Sequence, residues 1–208
     1  MKRAILLSFA LILTANPQQR RGAYRFPRVE LAIEDFQASG PILDIGGGGE
    51  GIIGLLKHQQ VVAIDPSESE LIGAPRGPLK IVMDAADMKF TDGSFDTATA
   101  FFSLMYMPPK TQQRVFAETH RILRPGGRFL IWDATIPTAL DDRTEFVVFL
   151  FHFKLPRQTV TTGYGTPWPA RPLDLPYYRT LAETAGFRVV AARPSEATRT
   201  FFLELRKS

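Results

Sequence analysis

Pro41-Ile42-Leu43-Asp44-Ile45-Gly46-Gly47-Gly48-Gly49-Glu50-Gly51 is the stretch on which the reading of this chain turns. Ile42–Ile45 is short and apolar, as a strand buried on both faces would be. A glycine turn follows, and Glu50 to Lys57 predicts a helix. Strand, glycine turn and helix form the opening unit of an open parallel α/β sheet, where ligands bind at the carboxyl ends of the strands. Glycines let a backbone approach a ligand with no Cβ in the way. Four in a row carry an entropic cost that a plain turn does not require, so this loop predicts a binding site.

Outward from this stretch, short apolar runs alternate with amphipathic segments. Upstream, Val29, Ile33 and Phe36 fall at helical spacing and predict a helix from Pro27 to about Ser39, stopped by Gly40-Pro41. Downstream, strands are expected at Val61–Ile64, Leu79–Met83, Phe95–Phe101 and Arg128–Trp132. Helices are expected at Ser67 to Ile72, where Ser67 and Glu70 have capping-box spacing, and at Thr111–Leu123. This alternation predicts a doubly wound, mostly parallel sheet with helices on both faces. Residues 134–172 interrupt it. The aromatic run Phe146–Leu155, Pro156-Arg157-Gln158 and Thr159–Thr162 predict a β-hairpin insert. A helix at Asp174 to Ala185 and strands at Phe187–Ala192 and Thr200–Leu205 close the chain. The last two strands are joined too tightly for a parallel crossover, so the final strand should be antiparallel and the sheet seven-stranded.

The 208 residues suit one domain over residues 26–208, preceded by a distinct segment at 1–25. With no cysteine, disulfides, thiolate metal sites and a cysteine nucleophile are excluded. No metal site is expected. The net charge is +4, but Lys2, Arg3, Arg20, Arg21, Arg25 and Arg28 precede the first acid, leaving 19 basic against 21 acidic side chains beyond them. Phosphate binding needs cations clustered on a binding face, so nucleic acid is not the expected partner. In residues 1–25, Lys2-Arg3 precedes the apolar run Ala4–Leu13. That run is too short to span a bilayer, which takes about 20 residues. It reads as an export signal, a peripheral membrane helix or a helix packed on the protein itself. A cytoplasmic location is expected, with membrane association if the second reading holds.

The glycine loop alone leaves two cofactors open. Gly46-x-Gly48-x-x-Gly51 with Asp65 beyond it fits a dinucleotide fingerprint. The other motifs favour a different group. Asp44-x-Gly46-x-Gly48 is followed by Val61-Val-Ala-Ile-Asp65, which ends the second strand on an acid. Next come Asp84-Ala-Ala-Asp87-Met-Lys-Phe90, then Ser94-Phe95-Asp96 with Leu104, then Leu123-Arg124-Pro125-Gly126-Gly127-Arg128, and finally Ala185-Gly186-Phe187. In order and spacing they resemble the class I, seven-stranded, Rossmann-like S-adenosylmethionine-dependent methyltransferases, including the quinone-biosynthesis type that acts on small molecules. The resemblance covers residues 41–133 well and 174–205 loosely. Glu50 departs from it, because the family usually has glycine there.

The resemblance implies that Asp44, Gly46 and Gly48 face the methionine part of S-adenosylmethionine. It implies that Asp65 accepts from both ribose hydroxyls, and that Asp84 and the Ala85 amide meet the adenine. A small, partly apolar acceptor is expected as substrate, because Met107-Pro108-Pro109-Lys110 lacks the polar and aromatic ends of the tetrapeptide that base and glutamine methyltransferases carry. Tyr24, Phe102, Tyr106 and Trp168 are the expected pocket residues. Asp133, Tyr164 and His152 are the candidates for catalytic roles, although a histidine inside Phe149-Leu-Phe-His-Phe153 more often faces a core or a sheet. Two other functions stay open at this level: an NAD-dependent oxidoreductase, for which no Tyr-x-x-x-Lys pair is evident, and a cofactor-binding protein without turnover.

Overall fold

The computed structural model describes residues 22–140 and 144–208. Its first elements are two short strands, β1 (Gly22–Arg25) and β2 (Val29–Ala32), the second lying where the sequence predicted a helix from Pro27 to about Ser39. The spacing of Val29, Ile33 and Phe36 is ambiguous, because Val29, Leu31 and Ile33 also alternate with period two. The burial of β2 follows that second period. The partner decides. Both strands lie parallel to β8 (Thr144–Lys154), with Tyr24 opposite Val147 and Glu30 opposite His152. Phe26 N donates to Val148 O at 2.9 Å, and Ile33 N to Lys154 O at 2.9 Å. A strand edge with unmet backbone groups thus captures a segment whose local pattern permits either structure. The expectation for residues 1–25 falls largely on residues outside those described. Among the described residues no helix is long and apolar enough to cross a membrane.

The large sheet has seven strands: β3 (Ile42–Ile45), β4 (Val61–Asp65), β5 (Leu79–Val82), β6 (Phe95–Phe101), β7 (Leu123–Ala134), β10 (Phe187–Ser195) and β11 (Thr200–Lys207). Their spatial order is β10-β11-β7-β6-β3-β4-β5, parallel except for β11, which is antiparallel to both neighbours. All four residues of β3 are buried, Asp44 among its three apolar neighbours, as a strand covered on both faces requires. Asp44 lies opposite Ala63 on one side and Thr99 on the other, which puts the ends of β3, β4 and β6 at one edge. Chain order reverses at β3, so the crevice outside its carboxyl end is the place where this architecture binds ligands.

The helices follow the expected pattern with shifted ends. Helix α1 (Ile52–Lys57) begins two residues later than predicted, because Gly51 is left-handed with φ 51°. In α2 (Glu68–Gly73), the Ser67 hydroxyl accepts from Glu70 N at 3.4 Å. Helix α3 (Pro109–Ile122) starts on a proline and buries Gln112, Val115, Phe116, Thr119 and Ile122 along one stripe. In α4 (Leu175–Thr184), the Asp174 carboxylate accepts from Tyr177 N at 2.9 Å.

The insert is a hairpin of β8 and β9 (Thr159–Pro167), completed along the other edge of β8 by β1 and β2. Phe149, Phe151 and Phe153 share one face of β8 and are buried. Their rings reach the end of β6, with Phe151 at 4.9 Å from Phe102 and Phe153 at 5.1 Å from Phe101. This aromatic seam holds the insert over the carboxyl edge of the large sheet.

Candidate active site

The glycine turn is packed between elements. Gly46 N and Gly47 N both donate to Ile64 O, at 2.9 and 3.1 Å, which ties the turn to the end of β4. Gly46 has φ 72°, and a Cβ there would stand 2.4 Å from the Ser103 Cβ. A Cβ on Gly48 would stand 2.6 Å from the Glu70 Cβ and 3.0 Å from Asp65 Oδ2. These two glycines are therefore demanded by close approach within the protein, a requirement separate from any ligand.

Three carboxylates lie at or beyond the ends of the neighbouring strands β3, β4 and β5. Asp44 ends β3 almost wholly buried, and Thr99 donates to its Oδ1 at 2.8 Å. Burial raises its pKa to about 7, against the Thr99 bond and with repulsion from Asp65. Asp65 ends β4, and its Oδ1 accepts from Ser67 N at 2.8 Å. Burial raises its pKa too, opposed by the Ser67 and Gly48 amides. Asp84 lies two residues past β5, exposed, accepting from Ala86 N at 2.8 Å, with Ala85 buried beside it. Among the described residues none of the three is in an ion pair. Acceptor groups at the ends of three neighbouring strands fit a ligand that presents several donors and positive charge. S-adenosylmethionine offers ribose hydroxyls, an adenine amino group, an ammonium and a sulfonium.

Beyond β6 the chain turns sharply. Phe102 is left-handed, with φ 49°, a conformation that costs a bulky residue about 1–2 kcal/mol. It is held by Phe102 N donating to Trp132 O at 2.8 Å and by the Ser103 hydroxyl donating to Ile45 O at 2.6 Å. A single 3-10 turn, Leu104–Tyr106, then leaves the Tyr106 ring half exposed. Asp133, near the end of β7, is fully buried. Its Oδ1 accepts from Ala134 N at 2.8 Å, and among the described residues its Oδ2 has no donor in hydrogen-bond geometry. Burial lifts its pKa to about 7, partly offset by the Ala134, Met105 and Leu104 amides. Tyr164, on β9, stacks on Phe102 at 5.3 Å and 21°. Burial, and then the negative charge of Glu50, hold its pKa well above the usual value of 10.

The structure thus brings together Asp44, Gly46, Gly48 and Asp65, with Asp84 and Ala85 beyond the end of the neighbouring strand β5. Beside them it gathers Tyr106, Asp133 and Tyr164. His152 is not among them. Alternation along β8 turns it away from Phe151 and Phe153, and its Nδ1 pairs with the Thr161 hydroxyl at 2.7 Å on the outer face of the insert. Its candidate catalytic role is corrected accordingly. Phe102 fills the seam as a buried floor under Tyr164. Tyr24 and Trp168 pack on each other at 6.0 Å where β1 begins, and Trp168 Nε1 donates to the Thr144 hydroxyl at 3.0 Å. They brace that end of the insert sheet.

Sequence reasoning missed three residues. Glu70 was read as half of a capping box, but Asp65 already takes the Ser67 amide, and the Glu70 carboxylate lies beside Gly49 instead. Thr162 donates to Glu50 Oε1, joining the insert to the glycine turn. Gln112 is fully buried, donating to Leu104 O at 2.9 Å and accepting from the Tyr177 hydroxyl, so it supports the turn that carries Tyr106. A polar residue on the apolar stripe of α3 was the available signal for Gln112.

Residues 43–131 match the family model described as a methyltransferase domain. The chain is 31% identical over 123 residues to sterol 4-C-methyltransferase strm-1 of Caenorhabditis elegans, covering 55% of this chain and 34% of that one. It is 32% identical over 110 residues to the ubiquinone/menaquinone biosynthesis C-methyltransferase UbiE of Rubrivivax gelatinosus, covering 49% of this chain and 42% of that one. The chain therefore spans less than half the length of these relatives. Among solved structures it is similar in fold to the glycopeptide N-methyltransferase MtfA complexed with S-adenosyl-L-homocysteine. The TM-score is 0.55 at 18% identity, over 83% of each chain. With the strand order and the carboxylates at the strand ends, these likenesses mean that residues 43–131 resemble a methyltransferase domain, set in a Rossmann-like fold similar to that of S-adenosylmethionine-dependent methyltransferases.

Proposed function

We propose that this chain transfers a methyl group from S-adenosylmethionine to a small, partly apolar acceptor. The observation that carries the reading is the set of carboxylates, free of ion pairs among the described residues, that Asp44, Asp65 and Asp84 present at or beyond the ends of the neighbouring strands β3, β4 and β5. Asp65 would hold the ribose hydroxyls, Asp84 with the Ala85 amide the adenine, and Asp44 with the backbone of Gly46 and Gly48 the methionine part. S-adenosylmethionine, when bound, supplies a methyl group on a positively charged sulfur.

The acceptor would lie between the glycine turn, Tyr106 and the inner face of the insert, held near the donor by apolar contact and shielded from water. Contact and dryness account for much of the acceleration in such a transfer. Asp133, with its pKa raised to about 7, is suited to take a proton from a neutral hydroxyl or amine at neutral pH. Tyr164 stays protonated under the same conditions, so it serves as a hydrogen-bond donor and a wall.

Calorimetry with S-adenosylhomocysteine and with NAD tests the reading. The first should bind and the second should not, and Asp65→Ala should weaken S-adenosylhomocysteine by at least ~1 kcal/mol, the worth of a hydrogen bond to a charged group. Binding of NAD in its place, or an unchanged affinity in the variant, would overturn it.

A further inference from the structure

Glu50 stands where the family usually carries glycine, and the fold gives it a partner 112 residues away. It is flanked by two left-handed glycines, Gly49 with φ 58° and Gly51 with φ 51°, so the chain bends sharply on either side of it. From this bend its carboxylate meets the insert, where Oε1 accepts from the Thr162 hydroxyl. The charge of the same carboxylate also bears on the Tyr164 hydroxyl. Thr162 and Tyr164 lie two apart on β9 and so share a face. Thr162 is buried, and Tyr164 is stacked on Phe102. On its other side Gly49 donates through its amide to Glu70 O at 3.0 Å, which anchors the bend to α2. A carboxylate in this setting cannot drop its donors cheaply, because losing them leaves charge partly buried without hydrogen bonds.

We propose that Glu50 is a positioning residue that locks the insert hairpin to the cofactor turn, so that filling the turn is transmitted to the acceptor wall formed by Tyr164. The proposal rests on the methyltransferase reading for the identity of the cofactor. The bond from Thr162 to Glu50 does not depend on that identity. The aromatic seam sets where the hairpin packs, and Glu50 sets its register against the glycine turn. A ligand that orders the turn therefore orders β9 as well, without touching it. Glycine at position 50 would leave the hairpin seated on its phenylalanines and uncoupled from the turn.

Amide hydrogen exchange on the full chain tests this, with S-adenosylhomocysteine as the probe and calorimetry run in parallel. In the free protein, Glu50→Gly and Thr162→Val should speed exchange across 159–167 by about tenfold or more, the factor one charge-assisted hydrogen bond carries, and leave 187–207 unchanged. In wild type, S-adenosylhomocysteine should slow exchange in both 42–51 and 159–167. In the two variants it should slow only 42–51. Glu50→Gln keeps an oxygen that accepts from Thr162, so it should restore protection of the hairpin. Equal protection of 159–167 in Glu50→Gly and wild type would overturn the proposal. So would a wild-type hairpin indifferent to a probe that calorimetry shows to be bound. If S-adenosylhomocysteine does not bind wild type, the cofactor reading fails and with it the transmission. The free-protein comparison then shows whether the Glu50 lock itself exists.

Discussion

Replacing Asp44 by asparagine should make this protein more stable at alkaline pH and less able to hold its cofactor. Asp44 is nearly inaccessible to water, and its pKa stands at about 7 against an ordinary value of 3.8. A carboxyl whose pKa is raised on folding holds its proton in the native state after the unfolded chain has lost it. The native state then binds more protons, and stability falls as pH rises from the unfolded pKa to the folded one. Three pKa units at 1.36 kcal/mol each put the full penalty at about 4 kcal/mol above pH 7, with about 2 kcal/mol already present at pH 5. Asparagine does not titrate, and its carbonyl can still accept from Thr99, whose hydroxyl lies 2.8 Å from Asp44 Oδ1. The advantage of Asp44→Asn over wild type should therefore grow by about 2–3 kcal/mol between pH 5 and pH 8. Asp133, raised by the same physics, is present in both proteins and cancels in the comparison. Urea unfolding at the two pH values measures the difference. A gap between the two proteins that is the same at pH 5 and pH 8, or that narrows, would refute the assignment of burial as the cause. S-adenosylhomocysteine should bind the variant more weakly, the cost of removing a carboxylate kept at the site.

Three further outcomes follow from the same geometry. Gly48→Ala places a methyl 2.6 Å from the Glu70 Cβ, so it should cost about 1–3 kcal/mol in urea unfolding as the turn and α2 are pushed apart. Gln112→Leu leaves Leu104 O and the Tyr177 hydroxyl without their partner, so a loss of about 2–3 kcal/mol is expected in thermal unfolding. Tyr177→Phe in that background should recover part of it. His152→Ala should change S-adenosylhomocysteine affinity by less than about twofold and stability by about 0.5 kcal/mol or less, because the imidazole lies on the outer face of the insert. A large loss of affinity there would return His152 to the site.

The seven-stranded sheet and most of the cofactor turn were legible in the sequence because each rests on local information. Ile42–Ile45 reads as a strand from its own four side chains, and Asp44, Asp65 and Asp84 mark strand ends by standing at the edges of apolar runs. The antiparallel last strand followed from the short link between Phe187–Ser195 and Thr200–Lys207. Tertiary structure decided whatever depends on a distant partner. Residues 29–33 carry a pattern compatible with helix or strand, and the open edge of β8 chose strand. His152 and Tyr164 both lie in aromatic or glycine-rich surroundings, and only the face each strand turns to the large sheet separates them. Thr99 meets Asp44 across 55 residues and Thr162 meets Glu50 across 112, and no local period encodes such pairs. A side chain's surroundings are set by whichever element packs against it, and that is why the turn could be read from one stretch of chain while the wall opposite it could not.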